Sequence, residues 1–181
     1  LAIAGGFSVA DRLSSKATLL GARFGGFYGR MLKKGDLIYA GEGQQSHGLS
    51  IEPEADFLSA NVSQESLNPI VLEVSPGPHL QRFPTGAMDL LLAGEFSVSA
   101  LSNRVGSRLD GPKIPREGQD LALPAPMRRG AIQVTTDGTP IVLGPDHPIT
   151  GGYPVPAMLS ANAQSEFARL RPGAKLRFRL G

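Results

Sequence analysis

The chain of 181 residues contains no cysteine and no tryptophan. The first absence excludes disulfides, thiolate zinc sites and a cysteine nucleophile. It fits a reducing compartment, and a cytoplasmic location is expected. Charged residues are scarce at 19%, below the roughly 25% usual for soluble domains. Eighteen Lys and Arg against sixteen Asp and Glu leave +2, so no polybasic surface argues for nucleic acid. No apolar run approaches the ~18 residues that span a bilayer; Leu90-Leu91-Leu92-Ala93 is among the longest. The three histidines, His47, His79 and His147, lack both the i, i+4 spacing and the HExxH pattern of a local metal site. Gly25-Gly26-Phe27-Tyr28-Gly29-Arg30 is rich in glycine but lacks the GK[ST] of a phosphate loop and the GxGxxG of a dinucleotide loop. It reads as a set of turns that use positive φ.

What is abundant is turn chemistry. Gly 23 and Pro 15 disfavour long helices and favour short strands joined tightly. The length suits one large domain or two small ones sharing a core. Leu1-Ala2-Ile3-Ala4-Gly5-Gly6 reads like the end of a buried strand in a longer protein, and Lys33-Lys34-Gly35-Asp36-Leu37 like a turn entering a strand. Residues 46–68 are polar and read as a connecting surface segment. Pro69-Ile70-Val71-Leu72-Glu73-Val74 reads as a buried strand closed by Ser75-Pro76-Gly77-Pro78, and Phe96-Ser97-Val98-Ser99-Ala100 alternates as another. Ala131-Ile132-Gln133-Val134 and Pro140-Ile141-Val142-Leu143 flank Asp137-Gly138, a hairpin signal. Two short helices are expected. One runs from Pro84 to Ala93, with Thr85 as its cap, Met88, Leu91 and Leu92 inward and Gly94 at its end. The other spans Asn162 to Leu170 and stops before Arg171-Pro172-Gly173. The last segment, Lys175 to Leu180, alternates so that Leu176, Phe178 and Leu180 should be buried while Arg177 and Arg179 face solvent. This pattern predicts a mainly β protein built on a barrel or sandwich.

Two motifs stand out for chemistry. Ser102-Asn103-Arg104-Val105-Gly106-Ser107-Arg108-Leu109 follows a strand and places an amide beside two guanidiniums. Arg offers a planar fork for a carboxylate or a ureido carbonyl; alternatively the two arginines staple loops together. Thr150-Gly151-Gly152-Tyr153-Pro154 offers consecutive backbone N–H groups that can cradle an anion or a carbonyl oxygen, or it is a bare turn. Both follow strands, so both can line one barrel mouth.

These motifs are joined, in order, by Gly5-Gly6, Gly25 to Arg30, Gly35-Asp36-Leu37, Gly77-Pro78, Gly130-Ala131-Ile132-Gln133 and Gly138 to Leu143. The ordered set resembles the biotin-dependent carboxyltransferase family. That family includes the C-type subunit of 5-oxoprolinase (allophanate hydrolase subunit 2, the KipI antagonist) and the carboxyltransferase region of urea carboxylase. The resemblance implies a cyclophilin-like β-barrel. Residues 1–45 would be the end of an N-terminal barrel lobe, 46–68 a connection, and 69–181 a C-terminal barrel lobe. The family's N-terminal half would lie outside this chain. Departures fall at Val105, where the family has Met, at Ser14 to Thr18, where it has a GSRST-like stretch, at Pro124 in place of Ser, and at Ala174 in place of an acidic residue. The resemblance implies work on a small amide, lactam or ureido substrate: lactam opening coupled to ATP, or transfer of carboxyl from carboxybiotin to urea. A regulatory module that binds a KipI-like partner without catalysis is the non-enzymatic alternative.

The expected partners are the A-type and B-type (KipI-like) subunits of 5-oxoprolinase. No biotin-attachment Met-Lys-Met occurs, so carboxybiotin would arrive on a partner domain, and ATP would be handled by a partner subunit. The residues expected to act on substrate are Asn103, Arg104 and Arg108 on one side of a pocket, with Gln133, Gly151, Gly152 and Tyr153 opposite. No nucleophile, general base or metal ligand is assigned.

Overall fold

The computed structural model describes residues 3–42 and 69–181. Two compact units, Leu1–Leu58 and Ser59–Gly181, divide the chain. The segment 46–68 expected to connect two lobes lies outside the described residues.

The first unit holds little regular structure. Its strands are β1 (Thr18–Leu19) and β2 (Phe24–Gly25), which pair antiparallel around a 3-10 turn. The glycines of the Gly25 to Arg30 run adopt positive φ: 70° at Gly25, 49° at Gly26 and 65° at Gly29. At Gly26 a Cβ would lie within 2.9 Å of the Thr18 backbone nitrogen, so the run requires glycine there. Lys33–Asp36 forms the expected turn, with the Asp36 carboxylate accepting from the Lys33 N–H and from Arg30 Nη1 and Nη2 at 2.7, 2.7 and 2.8 Å. No extended strand follows; Ala40 makes only an isolated bridge to Phe7. Ile3, expected in a buried strand end, is exposed. Among the described residues of this unit, no large apolar side chain is buried.

The second unit is built on a closed seven-stranded barrel, in the order β10 (Ala157–Leu159), β3 (Ile70–Pro76), β11 (Lys175–Leu180), β4 (Phe96–Val98), β5 (Gly106–Asp110), β8 (Pro140–Leu143) and β7 (Ala131–Val134), which returns to β10. All pairings are antiparallel except β11 with β3, which is parallel and runs from Leu176 opposite Ile70 to Leu180 opposite Val74. Closure leaves no free sheet edge. The mainly β barrel with two short helices is the fold expected.

Alternation fills the interior. Leu72, Val74, Phe96, Val98, Leu109, Ile132, Val134, Val142, Leu176 and Phe178 form one apolar cluster. Leu180 departs from the expectation: it is 50% exposed, at the last position of β11. Arg177 and Arg179 face outward and reach Glu95 and Glu73.

Helix α1 (Ala87–Ala93) buries Ala87 and Leu91, with Met88 and Leu92 packed against the core. Thr85 does not cap it. Gly86 occupies the cap position in a left-handed conformation with no side-chain hydrogen bond, and the helix starts one residue later than a Thr85 cap requires. Helix α2 (Ala161–Phe167) is capped by Ser160, whose Oγ accepts from the Ala163 N–H at 3.3 Å. No helix among the described residues is long and apolar enough to cross a membrane.

A separate two-stranded ribbon, β6 (Ala125–Pro126) with β9 (Thr150–Gly151), supports a second apolar cluster. There Met127, Ala131, Leu143 and Val155 meet Leu121, Ala125 and Met158. Strand β7 contributes Ile132 and Val134 to the first cluster and Ala131 to the second. Its two faces therefore point into two separate apolar environments.

Candidate functional site at the barrel mouth

The Ser102–Leu109 motif spans the end of the loop between β4 and β5 and the first four residues of β5. Its turn is held by the Asn103 carboxamide, whose Oδ1 accepts from the N–H groups of Val105 and Gly106 at 2.9 and 3.2 Å. This is an Asx-type turn, which the side chain closes in place of backbone. The loop is knitted to the segment after β8. Gly144 N–H donates to Val105 O and Asp146 N–H to Arg104 O, both at 3.0 Å.

Arg104 completes that stitch with its side chain. Nε and Nη2 donate to the two carboxylate oxygens of Asp146 at 2.7 and 2.9 Å. The bond holds the Asp146 carboxyl below the usual carboxylate range. The fork expected to await a substrate oxygen is thus occupied by the protein's own carboxylate, 42 residues away. Arg108 departs further from the expectation. On β5 it alternates with buried Leu109 and is exposed, outside the barrel.

Beneath this loop a cavity of about 320 Å³ opens into the end of the barrel. Its floor is apolar: Val98, Val142 and Leu159 from the core, with Phe167 and Leu170 from the α2 region. Its polar lining comes from Ser102, Asn103, Arg104, Ser107, Arg129 and Gln164, and among the described residues no acidic side chain lines it.

The second motif lies elsewhere. Gln133, Gly151, Gly152 and Tyr153 do not line this cavity; the single convergent pocket expected from the sequence does not form. The reason is strand alternation. Gln133 lies on the face of β7 opposite Ile132 and Val134, and its Nε2 approaches Tyr153 O and Met127 Sδ, each at 3.3 Å. It is buried beneath the β6–β9 ribbon. Gly151 is pressed against it: a Cβ there would lie 2.7 Å from Gln133 Nε2 and 3.1 Å from Met127 Cγ. Gly152 has no neighbour within 4 Å of that position and no positive φ.

Arg116 is a residue the motifs did not single out. Its side chain is 3% exposed and its guanidinium lies 6.0 Å from the Tyr153 ring centroid. Nη2 pairs with Asp120 and donates to Thr136 Oγ1 at 2.9 Å, while Nε and Nη1 have no acceptor among the described residues. Arg129 and Gln164 were also missed. Neither belongs to a motif, and only the fold brings them to the cavity beside Asn103. Among the described residues no group of three or more His, Cys, Asp or Glu is gathered to hold a metal.

The closed barrel thus carries a cavity with an apolar floor, lined by amide and guanidinium groups and, among the described residues, by no acidic side chain. The family is given by comparison: the model of the carboxyltransferase domain, subdomain A and B, matches residues 1–180, and the chain belongs to that family. It is 30% identical over 178 residues to the C-type subunit of 5-oxoprolinase from Escherichia coli, a match covering 98% of this chain and 54% of that protein. It is 27% identical over 193 residues to urea amidolyase of Lachancea kluyveri, covering 98% of this chain and 10% of that protein. Among solved structures, urea amidolyase of K. lactis is similar with a TM-score of 0.72 at 28% identity, over 98% of this chain and 12% of that one. The chain thus spans about half the length of the 5-oxoprolinase component it matches.

Proposed function

We propose that this chain is part of a carboxyltransferase-like subunit of an ATP-dependent 5-oxoprolinase-type enzyme, acting on a small lactam or amide at the barrel mouth. The observation that carries the reading is the cavity under the Ser102–Leu109 loop, in a chain matched along its length by the carboxyltransferase family. An amide carbonyl under attack gathers negative charge on its oxygen, and fixed N–H donors in a site with no opposing carboxylate stabilise that charge. Asn103 has its Oδ1 committed to the backbone, which leaves Nδ2 to donate. Arg104, locked to Asp146, acts by fixing the loop that carries Asn103, so it is a positioning residue and not an oxyanion donor.

ATP would be handled by a partner subunit. Any carboxybiotin would be carried on a partner domain and would supply the carboxyl group. The partners are other subunits of the 5-oxoprolinase type, in keeping with relatives that are subunits or regions of larger enzymes. Transfer of carboxyl to urea is the second reading, favoured by the similarity to urea amidolyase. The experiment is ATP-dependent turnover by the full-length subunit assembled with its partners, offered 5-oxoproline or urea in turn. Cleavage of 5-oxoproline supports the first reading, and carboxylation of urea the second. Inactivity toward both leaves the regulatory binding module as the better account.

A further inference from the structure

The other end of the barrel holds a charge that its surroundings leave half used. Arg116 lies in the loop between β5 and β6. Two backbone anchors fix that loop. Ile114 N–H donates to Gly138 O at 2.9 Å before Arg116, and Leu121 N–H donates to Gly152 O at 2.7 Å after it. Ile114 is fully buried, so the chain at Arg116 is tied to the core. The guanidinium reaches Thr136 in the β7–β8 turn. The mouth cavity is lined by Gly130 and Leu143, which pair at the opposite end of that hairpin. The two places are therefore separate.

Burial sets Arg116 apart. Its side chain is 3% exposed, against 74% for Arg104 and 51% for Arg177. Of its three nitrogens only Nη2 is bonded, to Asp120 and to Thr136 Oγ1. Nε and Nη1 are buried with no acceptor among the described residues. A buried donor left unpaired loses its hydration with no bond in return, and a guanidinium cannot shed its proton to escape that cost. Asp120 is the one carboxylate in contact with it, and that side chain is itself 47% exposed. The Tyr153 ring also faces the guanidinium, its centroid 6.0 Å from Cζ. A π face attracts a cation more weakly than a charged oxygen does.

Tyr153 is placed to yield. The backbone around it is held. Gly152 O accepts from Leu121 N–H, Tyr153 O from Gln133 Nε2 at 3.3 Å and Pro154 O from Val134 N–H at 3.1 Å. The residue is half-buried, and rotation about χ1 moves its ring without breaking these bonds. An anionic oxygen that enters as the ring leaves replaces a cation–π contact with a charge-assisted hydrogen bond.

We propose that Arg116 is the floor of a second binding site, for a compact oxyanion such as a carboxylate or a phosphate, and that the Tyr153 ring is its cover. Nε or Nη1 donates to the anion, while Asp120 and Thr136 hold Nη2 and so orient the guanidinium. The site does not depend on which reaction the mouth cavity serves.

The test is titration of the full-length subunit with inorganic phosphate and with acetate, against sodium chloride at matched ionic strength. Calorimetry gives the affinity, and the NMR signal of the Arg116 Nε–H reports the contact. A saturable response that chloride does not reproduce is expected, and the two arms show which oxyanion the site takes. Arg116→Met keeps an apolar stem and removes the donors, so it should weaken binding by about tenfold or more, the loss expected for one charge-assisted hydrogen bond. Tyr153→Ala removes the cover and should tighten binding about two- to fivefold, the factor equivalent to one exposed cation–π contact. Tyr153→Phe keeps the ring and should leave the affinity unchanged. A response no greater than that to chloride means that water alone meets Nε and Nη1, and it would overturn the site. Equal affinity in Arg116→Met, or weaker binding in Tyr153→Ala, would do the same. If Arg116→Met does not fold, the Nε–H signal of the unaltered protein and the Tyr153→Ala affinity decide between the same outcomes.

Discussion

Two adjacent glycines show how much one residue's surroundings decide. Gly151 abuts the Gln133 amide and Met127, and its neighbour Gly152 meets nothing. Gly151→Ala should therefore overpack the site and lower stability by about 1–3 kcal/mol. Gly152→Ala should leave stability unchanged or raise it by about 0.4–1 kcal/mol, by restricting the unfolded chain. Urea unfolding of both variants measures the contrast, and equal losses would contradict the packing described. Arg104→Lys retains charge but not the two-point bond to Asp146. Because the pair is exposed, Tm should fall only slightly, and the fall should shrink in high salt. Side-chain partners of this kind were not legible in the sequence. Asp146 is 42 residues from Arg104, and nothing local says whether a guanidinium meets a ligand or a carboxylate of its own chain. The Asn103 turn was more accessible, since an Asn whose own oxygen closes a turn over the next two or three residues is a local event.

At the scale of elements, the Gly77-Pro78-His79 turn joins β3 to the segment before β10 by a reciprocal pair. His79 N–H donates to Val155 O at 3.0 Å, and Val155 N–H donates to His79 Nδ1 at 3.2 Å. That ring nitrogen must be unprotonated. Burial, with the nearby Arg82 charge adding to it, lowers the His79 pKa below its usual 6.5. The folded state then binds fewer protons than the unfolded chain, so the contribution is complete above pH 6.5 and is lost as pH falls below it. A His79 titration by NMR should give a midpoint below 6.5, and His79→Gln should flatten the decline in stability between neutral pH and 5. The elements themselves were readable where two periodicities agreed. The β7–β8 hairpin had apolar runs on both sides of Asp137-Gly138, and Gly138 takes φ of 80°. The start of α1 was not readable. Thr85 has the chemistry of a cap, but left-handed Gly86 takes the position, a conformation set by the backbone path into the barrel.

For the whole molecule, closure rests on the last strand. β11 pairs with both β3 and β4, and buries Leu176 and Phe178 to 0% and 3% exposure. Leu176→Ala should cost about 2–5 kcal/mol, whereas Leu180→Ala, at a half-exposed position, should cost well under half as much. Deleting residues 175–181 should abolish the cooperative melt, because it uncovers two strand edges and removes two large core side chains; a truncated form that melts cooperatively would refute the account of closure. Alternation alone disclosed this strand. It also gave the bounds, Lys175–Leu180, but not which neighbour the strand runs parallel to, since that follows from long-range register.

The parallel β11–β3 pairing also has a kinetic side. It joins residues about a hundred positions apart, as Glu73 and Arg179 are, and no turn can guide such a meeting. Chains dominated by pairings this remote fold slowly, in milliseconds to seconds. Until the final strand arrives, β3 and β4 stand open as templates for other chains. Refolding yield should therefore fall steeply with protein concentration, and a short peptide spanning 175–181, supplied in excess during refolding of the truncated chain, should occupy the groove that β11 fills in the intact chain.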